Sequence, residues 1–530
     1  MRCAATALVA VLASWAAACS SADSGGDATG PDAAVDVAVD VTELAGDPAA
    51  EAPADVQEIP EAGLTRLHAA GTKIVDAAGR EVRLRGVNLG GWMFHETWIT
   101  LVGQTSAGAL YQKAVELGVG DDVRAVLHDA GTEYGDDPAV TKVCPGNGDL
   151  WVAKVHDPLV AKVGAATAQA LFDELTLHPP LCDDADLGLR QLLSKRFGDD
   201  ARDQLLDAFQ GAWITEADIA WLAGQGFNVV RVPIGYRSLV RGPDVDKPTG
   251  LDWNPLAFQR LTDLLDWCAK HGVYAVIDIQ EAPGGQNSYA GKSGLFDDPK
   301  MQDLAVQLWE HLSDVLHDRD EVAAYSLLAE PYGAPNADTR DAMYDRIVKA
   351  VRAKGDTHLC VIHDGFMGMG TLPVPAKFGW TDVVYSTHLF EWNADTYEYY
   401  DTMYRVVYEG SFTQAQAAQG VPYYLGSFAT FRDADWAYGA AGLVAWWMDQ
   451  HAWSWSLWTY KRPDDPLSKT VFDWSTSWGL RGRLQGEWVR PDPYVDDLAT
   501  LKARFLAYRD LVVAPNEALL AQLKNPQPRP

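Results

Sequence analysis

The sequence predicts an α/β fold: a (β/α)8 (TIM) barrel with a long insertion after its first strand. Three observations predict it. Eight short apolar runs recur between Val82 and Thr459, most of them followed by amphipathic stretches. The runs are near-continuously apolar, as strands buried on both faces of a helix-wrapped parallel sheet must be. Each run ends in polar or aromatic residues, which a barrel gathers at one mouth.

In chain order, residues 1–19 (MRCAATALVAVLASWAAAC) place one positive residue, Arg2, before an apolar stretch and small residues. This is the pattern of an export signal. Ala16-Ala17-Ala18-Cys19 is similar to a bacterial lipoprotein cleavage box, which implies a lipid on Cys19 and a membrane anchor. Residues 20–62 hold eleven Asp or Glu and no Lys, Arg or aromatic residue. Such a segment buries too little apolar surface to offset its ordering entropy, so a disordered tether extended by its own charge is expected. The barrel then takes residues 63–530. Its opening stretch, Arg66 to Leu89, alternates and turns at Ala78-Gly79, a hairpin leading into a first strand over Val82–Val87.

Residues 100–212 exceed any single strand-to-helix loop and read as an insertion with helical patterns of its own, expected over the carboxyl-terminal face. Cys144 and Cys182 lie in it, and export to an oxidising compartment makes a disulfide between them the expectation. Cys268 and Cys360 sit in apolar patterns and read as buried free thiols. Past the insertion, Thr215 and Asp218 form a capping signal, and Gly224 and Gly226 a stop. The remaining runs are Asn228–Val232, Tyr274–Ile279, Ala323–Leu328, His358–Ile362, Val383–Ser386, Tyr423–Gly426 and Ser454–Thr459. Helical patterns over 258–272 and 341–355 lie between them.

The net charge is −30, of which −20 falls on residues 63–530. Nucleic acid is excluded, because phosphate binding needs clustered Lys and Arg, and so is a basic lipid-binding surface. No zinc spacing occurs, and neither a metal nor a cofactor is expected. A monomer is expected. The 20 Trp point to a ligand with flat apolar faces. At the strand ends stand Asn88, Arg231, Gln280-Glu281, Glu330, His363-Asp364, His388, Ser427 and Trp458. A carboxylic acid, an Arg, a His and a Trp in one mouth suit a sugar, whose hydroxyls need donors and acceptors and whose C–H face needs an aromatic ring. Glu281 and Glu391 read as solvated rim charges, and Trp446, Trp447, Trp453 and Trp455 as core.

With these motifs in order, the chain resembles glycoside hydrolase family 5, and within it the exo-β-1,3-glucanase group. Leu84–Thr100 is similar to the opening strand, whose Glu, here Glu96, helps bind the terminal sugar. Trp213–Tyr236 supplies the family's Arg at Arg231, and Ile277–Asn287 resembles the third strand. Leu327–Pro331 resembles the strand carrying the acid/base, here Glu330. Ser386–Phe390 carries the family's His at His388, and Leu457–Lys461 its Trp at Trp458. The resemblance implies a β-glucan or related oligosaccharide as substrate.

The departures lie in the catalytic shell. The family's nucleophile Glu belongs where this chain has Ser427, within Leu425-Gly426-Ser427-Phe428. The Asn before the acid/base is Ala329, the third-strand His is Gln280, and the Tyr two residues after the sixth-strand His is Phe390. A retaining glycosidase needs two carboxylates about 5–5.5 Å apart. Serine is a poor nucleophile without an activating base and lends no negative charge to an oxocarbenium-like transition state. Three readings follow: a hydrolase with an altered mechanism, with Glu281 or Glu391 as base; a catalytically inactive glucan-binding lipoprotein; and an esterase-like use of Ser427 with His388, which lacks a G-x-S-x-G elbow.

Overall fold

A computed structural model describes residues 63–102, 106–134, 152–177, 185–242, 245, 247–287, 294–391, 394–464, 478–485 and 488–528. The leader and linker, with Cys19, and also Cys144 and Cys182, lie outside the described residues. Eight strands close into a barrel, every neighbouring pair parallel. They are β1 (Arg85–Asn88), β2 (Val229–Gly235), β3 (Tyr274–Glu281), β4 (Val322–Ser326), β5 (Leu359–His363), β6 (Val383–Phe390), β7 (Tyr423–Ala429) and β8 (Ser454–Leu457). Each of the eight runs is a strand. β1 starts three residues later than its run predicts. The Leu84 and Arg85 amides donate to the side chains of Ser454 and Asn228, at 3.0 and 2.7 Å, rather than to a neighbouring strand.

The period-2 alternation sorts the strand residues into two packed groups. Val230, Ala275, Ile277, Cys360, Tyr385 and Leu425 face the surrounding helices in the main core. Val229, Tyr274, Val276, Ala324, Val361, Val384 and Tyr424 fill the bore. The chain's opening hairpin, His68–Ala70 with Lys73–Val75, adds Leu67 and Ile74 to this plug. The predicted turn at Ala78-Gly79 is present as well, with the Gly79 amide on the Asp76 carbonyl and Val75 bridging Glu81. Two residues beyond the bore-filling positions, the same parity turns Arg231, Asp278, Ser326, His363 and Ser386 inward. A polar layer therefore rests on an apolar floor.

The insertion has two parts. Helices α1 (Ser106–Glu116), α2 (Gly120–Tyr134), α3 (Asp157–Val163) and α4 (Ala165–Leu177) share a small core of Leu110, Val123, Leu127, Leu159 and Leu171. Helices α5 (Ala185–Phe197) and α6 (Asp199–Trp213) instead join the barrel's core through Leu189, Leu193, Leu205, Phe209 and Trp213. Helix α7 (Glu216–Gly224) begins with the predicted capping box of Thr215 and Asp218. Helix α8 (Pro255–His271) is capped by the Asn254 side chain and ends at Gly272, in the left-handed conformation. Helices α9 (Pro299–Leu316), α10 (Ala337–Ala353), α11 (Glu409–Gln419) and α12 (Asp435–Gln450) cover the later strands. Between β5 and β6 only two short 3-10 turns occur, Met369–Thr371 and Pro375–Lys377. The glycines and prolines of that connection resist a longer helix.

Candidate active site

The polar layer starts with Arg231. A guanidinium in a bore needs partners, since an unpaired buried charge is costly. Its Nη1 donates to Asn88 Oδ1 at 2.7 Å, and its Nη2 lies 2.8 Å from Asp278 Oδ1. Burial raises the Asp278 carboxyl above the usual carboxylate range, against the pull of Arg231 and the Ser326 hydroxyl. Asn88 also donates through Nδ2 to the carbonyls of Gly426 and Leu457, at 3.1 and 3.2 Å. One amide side chain thus ties β1 and β2 to β7 and β8.

Glu330 follows β4 at a φ of 44°. Non-glycine residues rarely hold that left-handed conformation, and strain of this kind collects at functional sites. Its Oε1 lies 2.6 Å from His388 Nδ1, and its Oε2 accepts from Asn287 Nδ2 at 2.9 Å. Burial raises the Glu330 carboxyl, while His363, Arg231 and Asn287 pull it down. Burial, and then Arg231, hold His388 well below the usual imidazole range, so its ring is neutral at pH 7. The His363 ring meets the His388 ring edge-on, with centroids 4.4 Å apart. His363 Nδ1 accepts the Gly365 amide at 2.9 Å, which leaves the ring proton on Nε2.

Ser427 lies opposite His388 across the β6–β7 ladder, after a register shift between Thr387 and His388. A bulge of this kind re-aims side chains. Leu425 packs outward, yet Ser427 shares the face of His388, the face that carries Glu330. The approach is tight: a Cβ on Gly426 would stand 2.8 Å from His388 Nε2, so only glycine fits. Ser427 is 1% exposed, and its Oγ has no hydrogen-bond partner, His388 included. The esterase-like reading loses its first requirement, a nucleophile hydrogen-bonded to its base.

The structure therefore brings Arg231, Glu330, His388 and Ser427 together. Gln280 joins them at the end of β3, where the amide of Ala329, the residue before Glu330, donates to the Ile279 carbonyl at 2.9 Å. The Gln280 Oε1 is buried without a hydrogen-bond partner. Glu96 and Trp458 follow β1 and β8. Glu96 is half-buried and accepts the Ile99 and Thr100 amides on its carbonyl; Trp458 is buried. Sequence reasoning missed Asp278 and Asn287 as partners of the site. Glu281 and Glu391 are not the solvated rim charges expected. Glu281 is 7% exposed and paired with Arg237, and Glu391 is half-buried, with its carboxyl raised by burial and held by Tyr408 and Tyr399. Cys268 and Cys360 are buried free thiols, and Trp447, Trp453 and Trp455 are core, as read.

The insertion reaches this site through α5. Asp186 accepts the His95 amide at 3.1 Å and the Arg190 Nε at 2.7 Å. Arg190 donates onward to the Arg237 carbonyl and the Ser238 hydroxyl, and Ser238 to the Met93 carbonyl. This buried relay holds the loop bearing Glu96 and the turn bearing Arg237, the partner of Glu281. Among the described residues no group of three or more His, Cys, Asp or Glu is placed to hold a metal ion.

Residues 200–463 match the family model described as Cellulase (glycosyl hydrolase family 5). Over 336 residues the chain is 29% identical to a β-xylosidase of Phanerodontia chrysosporium, covering 61% of this chain and 51% of that protein. Over 249 residues it is 27% identical to Glucan 1,3-beta-glucosidase 2 of Saccharomyces cerevisiae, covering 43% and 44%. The chain thus spans about half the length of these curated relatives. The crystal structure of endogalactoceramidase aligns with a TM-score of 0.45 at 17% identity, covering 84% of this chain and 85% of that one.

Proposed function

The barrel of this chain belongs to glycosyl hydrolase family 5, and from that premise we propose that it takes a β-glucan or related oligosaccharide at the ends of its strands, with Glu330 as acid/base and with the family's double displacement disabled. The observation that carries this reading is the pairing of Glu330 with His388 beside a Ser427 that has no hydrogen-bond partner. A retaining reaction needs a carboxylate facing the acid/base. The two candidate substitutes are engaged elsewhere, Glu281 with Arg237 and Glu391 with tyrosines, which speaks against an altered hydrolase built on either. Arg231, Gln280, His388, Trp458 and Glu96 hold the sugar in this reading. Its affinity for glucan survives; its hydrolysis is very slow.

A titration of the full chain with laminari-oligosaccharides, run beside an assay for released sugar, tests it. The expected result is binding with little release, and what release there is vanishes in Glu330→Gln. Absence of binding, or brisk release of a β-anomeric first product, overturns it. The leader supports export with a lipid on Cys19. Mass spectrometry of the mature amino terminus checks this, and a terminus free of acyl chains removes the anchor.

A further inference from the structure

We propose that the mouth hydrolyses β-glycosides of 2-acetamido-2-deoxy sugars, with the sugar's own amide oxygen as the nucleophile. This rests on the reading of the mouth as a sugar site with Glu330 as its acid, and goes beyond it by adding a second substrate class and the route by which it is cut.

Two observations carry it. The acid is in place without a free carboxylate to work with it. Glu330 is oriented by His388 Nδ1 and Asn287 Nδ2, and burial raises its carboxyl, as suits a proton donor. Position 427 holds a hydroxyl without a hydrogen-bond partner, while Asp278 is paired with Arg231, Glu281 with Arg237, and Glu391 with tyrosines. A substrate that carries a nucleophile on C2 needs none of these carboxylates. Because that nucleophile is tethered, the substrate itself sets the face of attack.

The strands on either side of the one that precedes Glu330 each leave a buried polar atom unpaired. β3, β4 and β5 are neighbours in the barrel. Gln280, two residues past the inward-facing Asp278 on β3, has in Oε1 an acceptor without a donor. His363 ends β5 and is 2% exposed. Its Nδ1 accepts the Gly365 amide, so Nε2 carries the ring proton, and that proton has no acceptor. The ring lies against His388, the partner of Glu330. One unpaired acceptor and one unpaired donor flanking the acid complement a secondary amide, which has one N–H and one C=O. Buried polar groups are costly to leave unpaired, and an acetamide between β3 and β5 satisfies both. A glucan brings hydroxyls and no internal nucleophile.

The step balances as follows. The Glu330 carboxyl gives its proton to the glycosidic oxygen, and the C1–O bond breaks with its electron pair on that oxygen. The amide oxygen bonds to C1 and closes an oxazolinium ring, whose N–H is held by Gln280 Oε1. Water then attacks C1 and passes a proton to the Glu330 carboxylate. The bond from C1 to the amide oxygen breaks, its electron pair returns to the amide, and the sugar leaves as the β-anomer.

The test gives the full chain N,N′,N″-triacetylchitotriose and laminaritriose at equal concentration, with products followed by mass and by NMR. The chitotriose is expected to be cut about 10²-fold faster or more, to a β-anomeric first product. Glu330→Gln should slow this by about 10²–10⁴-fold and Gln280→Leu by roughly tenfold. A trifluoroacetyl group in place of acetyl weakens the amide oxygen and should slow the parent chain as well. If the chain binds laminari-oligosaccharide but leaves chitotriose intact, this proposal falls alone. An α-anomeric first product, or a trifluoroacetyl substrate cut as fast as the acetyl one, removes the internal nucleophile and overturns it. If the chain neither binds laminari-oligosaccharide nor cuts chitotriose, the sugar-site reading falls with it.

Discussion

At position 427 a hydroxyl stands among groups arranged for a charge, and the consequences are best drawn by putting the charge back. Ser427→Glu is expected to raise β-glucoside hydrolysis by orders of magnitude and to give a β-anomeric first product, as measured by NMR during turnover. A folded variant with no gain would mean that Ala329, Gln280 and Phe390 dominate. Glu330 sets the pH dependence. Burial raises its pKa, so it stays protonated to a higher pH than an ordinary carboxyl. Hydrolysis uses it as an acid, so the residual rate declines as pH rises through that value. A pH–rate profile of the sugar release checks the sign. Arg231, Glu330 and His388 were legible in the sequence because each ends or follows an apolar run. Asp278 was not, since it lies inside one; only its parity, two residues past the bore-filling Val276, marks it as inward.

Elements hold these residues in place, and two are open to test. The bulge of β7 admits only glycine at 426, where a Cβ would stand 2.8 Å from His388 Nε2. Gly426→Ala is expected to displace the imidazole and uncouple it from Glu330, losing residual activity with little change in melting temperature. Helix α5 offers the second test. Arg190→Met leaves Asp186 buried without its cation, which costs about 3–5 kcal/mol where a buried pair loses one partner; urea unfolding measures it. Affinity for oligosaccharide should fall as well, through the loops bearing Glu96 and Arg237. The eight strands and helices α7, α8 and α10 were legible because apolar periodicity and caps are local signals. That α5 and α6 belong to the barrel while α1 to α4 do not was illegible, because it depends on which apolar faces meet.

For the molecule as a whole, stability should depend on pH through buried groups far from the mouth. Burial drives His95 down to about 4, with Asp186 and Arg190 as lesser and opposing influences. A histidine held neutral in the fold and free to charge when unfolded contributes stability above pH 6.5, on the order of 3 kcal/mol, that is lost as pH falls toward 4. Asp356 acts in the same direction at lower pH. Burial pushes its carboxyl up, but the His358 ring and amide and the Ser313 hydroxyl outweigh burial and hold it below its ordinary value. Melting temperatures recorded from pH 7 to pH 3 should fall in both windows. The small core shared by α1 to α4 has a different kind of consequence. Its apolar side chains satisfy one another, so mutations there are answered inside the group and need no compensation in the barrel. Such a segment can be altered without disturbing the barrel, whereas the strands joined through Asn88 cannot be changed one at a time.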